Sequence, residues 1–337
     1  MKRIIYLWVL FIFFVLAVPP SIAQEPVKEW KLAETFFITT IAIDDDGRIY
    51  AVDRDQNHVS IFDADGALIR TVGREGKGPG ELRRPRAIAL AADGETFVVR
   101  DQVNRRVSLF SREGDFQQSF AAPQILPSSS IAFVGDSLLV FGGFLPKSLY
   151  TGTNMHLYTV DGEKRRSFFP QSEKAKAYKQ TVRVGAGFDV DDQGRFYAVQ
   201  PVDYTIHQFG PMGEPLREID ISPLPDHFRQ PRTPQPNPLE GREPVIEWLE
   251  TVDGPRNVFV VDEEVLAVSI QKGGGDPRFS TVDFIDASTG TVIRTVSLEG
   301  KLVYADPNRG WIYVAEPQDE PVTLLQAYRL GDLLESG

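Results

Sequence analysis

A 48-residue spacing constrains this chain more than any other feature. Gly47-Arg-Ile-Tyr-Ala-Val-Asp53 is followed by Val59-Ser-Ile-Phe62 and a turn ending at Gly66. The same order returns as Thr96-Phe-Val-Val-Arg-Asp101, Val107-Ser-Leu-Phe110 and Gly114, so Phe62 to Phe110 and Gly66 to Gly114 are both 48 residues. A further copy, Gly194-Arg-Phe-Tyr-Ala-Val-Gln200 with Ile206-His-Gln-Phe209, lies 147 residues after the first. Weaker copies run from Asp136 to Gly162, from Val265 to Gly290, and from Trp311 to Tyr328. A period of this length marks a stack of supersecondary units, each burying a face that it cannot bury alone.

Within each copy, short runs alternate apolar and polar residues between Asp/Gly turns, which predicts half-buried antiparallel strands. Six copies of about four strands predict an all-β, six-bladed β-propeller, because closing the ring removes most exposed strand edges. The sixth copy stops soon after Tyr328, while Val27–Phe37 precedes the first. The N-terminal strand is therefore expected to complete the last blade and close the ring.

The chain resembles the NHL-repeat and TolB-like six-bladed propellers. The resemblance rests on Gly47–Asp53, on Asn104-Arg-Arg-Val107, and on the glycine-rich Gly73–Leu82 leading to Pro85-Arg-Ala-Ile-Ala89. It implies the architecture closely and the function only broadly, since such propellers include lyases, lactonases and binding modules.

Composition narrows the setting. The net charge of −11 disfavours a general affinity for nucleic acid or anionic membranes. No Cys is present, so disulfides, thiolate metal sites and a cysteine nucleophile are excluded. Lys2 and Arg3, the 15-residue apolar run Ile4–Val18 and the small residues Ser21-Ile-Ala23 read as a signal peptide. The expected organisation is a signal over 1–23 and a propeller over 24–337, exported to a bacterial periplasm or beyond. An uncleaved anchor is the competing reading.

The repeat is broken most clearly at Ser222–Pro244, which holds seven prolines in 23 residues. Such a segment prefers extended geometry, as a surface excursion or as a flap over one face of the ring. Ser172–Gln180 reads as a short helix.

Several constellations could carry chemistry. Residues 70–112 hold ten basic side chains against five acidic ones, and Arg86, Arg100, Arg105 and Arg106 are candidates for an anion site. Strand alternation can equally scatter them over the surface. Asp53, Asp101, Gln200 and Glu316 end equivalent runs, and so stand at one level of the ring as turn residues or as an acidic rim. Asp44–Gly47 and Asp189–Gly194 resemble calcium loops, but Asp and Gly are also what tight turns require. Gly73–Gly80 lacks the order of a phosphate loop. Of the four histidines, His207 takes the slot held by Ser60 and Ser108, and none recurs at an inner-strand position.

The reading is a non-enzymatic binding or scaffolding module, a monomer, whose partner is a protein or a small anionic ligand. No cofactor is assigned, with calcium or zinc as the open option. The alternative is a metal-assisted lyase or lactonase, which needs three or more Asp, Glu, Asn or His side chains converging on the axis.

Overall fold

Six antiparallel sheets of four strands make up the computed structural model, which describes residues 25–122, 130–135, 138–142, 153–170, 172–173, 187–200, 203–237, 240–319 and 321–335. The expected signal over 1–23, and all but the first two residues of the expected helix 172–180, lie outside the described residues. Blade one comprises β2 (Ile38–Ile43), β3 (Ile49–Asp53), β4 (His58–Phe62) and β5 (Leu68–Val72). Blade two comprises β6 (Pro85–Leu90), β7 (Thr96–Asp101), β8 (Arg106–Ser111) and β9 (Phe116–Ala121). Blade three comprises β10 (Ile131–Val134), β11 (Leu138–Gly142), β12 (Thr153–Thr159) and β13 (Lys164–Pro170). Blade four comprises β14 (Gly187–Val190), β15 (Phe196–Gln200), β16 (Asp203–Phe209) and β17 (Pro215–Asp220). Blade five comprises β18 (Gly254–Val260), β19 (Val265–Gln271), β20 (Phe279–Asp286) and β21 (Val292–Glu299).

Blade six joins the two ends of the chain. Its order is β22 (Lys301–Asp306), β23 (Trp311–Pro317), β24 (Val322–Arg329) and then β1 (Lys28–Ala33), paired Trp30 to Leu325. Trp30 stacks on Tyr313 and donates its indole N–H to Ala64 O of blade one at 3.0 Å. The first strand of every blade touches the first strands of both neighbouring blades, and β22 touches β2, so the ring is closed. This is the closure that the N-terminal strand was expected to provide.

The expected alternation fails in the middle of the blades. Ile49–Asp53 and Phe196–Gln200 are buried at every position, because a central strand carries a neighbouring blade on both faces. Alternation survives on the outermost strand of blade five, Val292–Glu299, whereas the outermost strands of blades one and four are almost wholly exposed. The repeat glycines serve the same stacking. Gly114 and Gly162 turn with φ of +90° and +88°, and a Cβ there would meet Val72 at 2.3 Å and Phe120 at 2.5 Å on the preceding blade.

Topology gives the ring two distinct faces. Each first strand begins, each second strand turns into the third, and each fourth strand ends on one face, here called the upper. The proline-rich segment crosses that face between blades four and five. Its Phe228 is buried and stacks on Tyr204 with centroids 4.5 Å apart. It does not stay extended to Pro244, because Glu243–Thr251 forms a helix, α1, with proline in its first turn. Buried Trp248 anchors that helix by donating to Thr233 O at 2.9 Å.

Candidate functional site

The first strands of the six blades enclose a cavity of about 970 Å3 along the axis. Its upper part collects cations from four blades. Arg54 comes from the turn after β3, Arg86 from β6, Arg256 from β18 and Lys301 from the start of β22. These are blades one, two, five and six, which the closed ring makes consecutive. The cations therefore form one crescent.

Two β-bulges position the crescent. In β6 the register shifts between Pro85 and Ala87, and in β18 between Pro255 and Asn257. The extra residue is an arginine in both, and a bulge turns its side chain off the normal alternation. Arg86 Nε donates to Gln102 Oε1 at 2.7 Å, and Lys301 Nζ donates to the carbonyl of Thr39 at 2.5 Å. Arg54 lies over the Phe37 ring at 4.1 Å and pairs with Asp55 at 2.8 Å. Among the described residues, no carboxylate forms an ion pair with Arg86, Arg256 or Lys301, although the rim includes Glu299, Glu316 and the Arg278-paired Asp276.

The electrostatics follow from that geometry. Burial, and then the charges of Arg54, Arg84 and Arg256, hold Arg86 below its usual range, and burial does the same to Arg256. Burial, followed by Arg256, Arg86 and Arg54, brings Lys301 down to about 7. Arg256 does keep open surface. It also lines the cavity. Arg100, fully buried on β7, falls to about 9 through burial and then Arg86.

Blade four supplies the opposite character, deeper in the channel. Asp189 accepts the N–H groups of Val190 and Val260, both at 2.9 Å, yet burial pushes it up to about 7. The cavity thus has a cationic mouth and, below it, a carboxyl group poised between its two protonation states near neutrality.

The seven candidate residues separate cleanly in the structure. Arg86 lines the cavity, and Arg100 lies behind it. Arg105 is exposed in a turn, while Arg106 binds Asp101 at 3.0 Å and the backbone of the glycine-rich loop at Lys77 and Gly78. Asp53 accepts the Phe36 N–H at 2.6 Å, and Asp101 accepts the Arg83 N–H at 2.9 Å; each ties a blade to the connection that enters it. Gln200 does the same with Pro170 and Ser172, and only Glu316 of that equivalent set lines the cavity. His207 sits on β16 against Phe169, with Glu218 at 3.4 Å.

The calcium-like loops are turns. Asp44 caps Arg48 N–H at 2.9 Å, and Asp191 caps Arg195 N–H at 2.8 Å. Among the described residues, no group of three or more His, Asp or Glu is arranged to hold a metal ion. Arg256 and Lys301 were missed in sequence because they lie outside the basic stretch. One signal was available: Pro85-Arg86 and Pro255-Arg256 open equivalent first strands with the same dipeptide.

Comparisons with known proteins agree with this architecture. A family model described as DUF5128, 6-bladed beta-propeller, matches residues 34–208. A solved structure of a DUF4221-family member from Bacteroides vulgatus superposes with a TM-score of 0.66 at 14% identity, covering 90% of this chain and 97% of that one. A Bacteroides fragilis protein described as exported gives 0.62 at 13%, covering 91% and 94%. U3-55K gives 0.59 at 10%, covering 91% and 100%. At such identities the likeness is one of fold alone. Among curated proteins, none matches the chain.

Proposed function

We propose a function from one premise: the chain belongs to the DUF5128 family of six-bladed β-propellers. It is a binding module that takes a small anionic ligand at the upper mouth of its channel. One observation carries this reading. Arg86, Arg256 and Lys301 come from three blades, line one cavity and have no carboxylate partner among the described residues. Cations held together without counter-charge repel one another in a site of low dielectric, and an entering anion relieves that repulsion. Guanidinium groups also match carboxylate or phosphate geometry in pairs.

The proline-rich connection lies on the same face, but none of its described residues lines the cavity. We further read the protein as exported, acting as a monomer in a bacterial envelope. That reading is supported by the apolar start of the chain and by a fold shared with a protein described as exported. Kinship with NHL-repeat and TolB-like propellers rests on Gly47–Asp53 and Asn104–Val107.

Titration calorimetry with phosphate, acetate and citrate tests the site. Binding of at least one anion to the wild type, weakened in Arg256→Ala, is the expected result. Equal heats for wild type and variant would remove the channel mouth as the site.

A further inference from the structure

We propose that Lys301 captures the carbonyl carbon of a 2-oxo carboxylate as an imine, while Arg86 and Arg256 hold its carboxylate. The inference rests on the anion site proposed above and names its ligand class.

The surroundings of Lys301 differ from those of an ordinary structural lysine. Among the described residues no carboxylate pairs with its ammonium group, and the hydrogen bond it makes runs to the Thr39 carbonyl at 2.5 Å. A carbonyl accepts an N–H from either form and binds the ammonium more strongly, so this contact orients the nitrogen while the enclosure and the neighbouring guanidiniums are what favour the neutral amine. Thr39 is itself the bulged residue between Ile38 and Thr40, which turns the strand at this point. Three guanidiniums stand close enough to act on Lys301, and guanidiniums stay charged. Their field and the enclosure favour the neutral, nucleophilic amine, as neighbouring cations do for imine-forming lysines. Lys301 falls to about 7, so a substantial share is neutral at neutral pH.

The same guanidiniums make the site selective. An amine with no adjacent anion holder would meet any aldehyde, whereas here a carboxylate beside the carbonyl is bound first and the carbonyl carbon is presented to Nζ. In the step, the Nζ lone pair forms a C–N bond and the C–O bond breaks. The oxygen leaves as water with the two amine hydrogens, giving a C=N bond with no change in oxidation state. The capture is reversible by the same path.

Cyanoborohydride trapping tests this on the whole protein. Pyruvate is the probe; the reductant delivers hydride to the imine carbon, and water supplies the proton. The expected result is one adduct per chain, mapped by peptide mass spectrometry to Lys301, lost in Lys301→Arg and diminished in Arg256→Ala. Lactate, which has the carboxylate but no ketone, should compete. Absence of an adduct at Lys301 in the wild type, or adducts spread evenly over surface lysines, overturns the proposal without reliance on any variant's folding. Calorimetry with lactate separates the two readings. Lactate binding without trapping overturns the imine alone, whereas failure of both lactate and pyruvate to bind removes the anion site for this ligand class as well.

Discussion

The upper face carries charge in two arrangements, and the contrast shows what each is for. In the blade tethers, every buried charge is matched. Asp101, with no exposed surface, takes the Arg83 N–H, the Asn104 amide at 2.7 Å and Arg106 at 3.0 Å. Asp253, equally buried, takes the Arg229 guanidinium at 2.9 Å, the Lys272 amine at 2.5 Å and the backbone N–H groups of Arg229 and Gly273. Burial opposes ionisation of Asp253, yet these partners hold it down to about 2. In the channel crescent, Arg86, Arg256 and Lys301 line a common cavity with no such carboxylate match among the described residues. Matched charges stabilise the blades. Unmatched ones cost stability, which is the ground for proposing that they serve a ligand.

The sharpest way to break this distinction is to delete one charge from each region. Asp101→Ala leaves Arg106 and two N–H donors without their acceptor, and should cost about 3–5 kcal/mol in urea unfolding. Arg256→Met removes a cation that has no carboxylate partner among the described residues, and should leave stability unchanged or raised. If Arg256→Met destabilises as much as Asp101→Ala, the two regions are not different in kind. For binding, the order reverses. Arg256→Ala should weaken a bound carboxylate by about 1.5–3 kcal/mol, roughly 10- to 150-fold, as measured by calorimetry.

Acid and base should then separate the regions in opposite directions. Asp253 is held below its ordinary value of 3.8, so its contribution is present above pH 3.8 and is lost as pH falls toward about 2. Lys301 is the reverse case, lowered from 10.5 to about 7. Below pH 7 the folded protein carries a charge that its site disfavours; that penalty fades as pH rises from 7 toward 10.5. Wild type should therefore gain stability relative to Lys301→Met across this upper window in pH-dependent thermal melts. Anion affinity should instead fall as pH rises through about 7, because Lys301 and Asp189 each lose a proton there and the pocket becomes less positive. A flat affinity between pH 6 and 8 would mean that neither group contacts the anion.

The smallest effect is expected at Arg105, whose side chain is exposed in a turn. Arg105→Ala should change stability by no more than about 0.5 kcal/mol and leave anion binding untouched. A marked loss of binding would move the site from the channel to the outer edge of the ring.

How far the sequence reached can be read from these same residues. Gly66, Gly114 and Gly162 keep their spacing because each must turn with positive φ against the blade before it, so the stacking unit is written locally. Asp53 and Asp101 recur for a similar local reason, each capping its own turn and the incoming connection. Arg86 stood out within a run of basic residues, but Arg105 and Arg106 stood out equally and serve elsewhere. Nothing local distinguished them, because the β-bulge that aims Arg86 inward is set by how two strands pair.

The 48-residue period by itself determined the ring, its blade number and the need for an N-terminal strand to close it. A repeat is a local property copied along the chain, and only one closed stacking buries all its faces. The crescent was decided by tertiary structure alone. Arg54 and Arg86 stand near the start of the chain and Arg256 and Lys301 near its end, and closure between β22 and β2 makes their blades neighbours. Their mutual charge and desolvation exist only once that ring has formed.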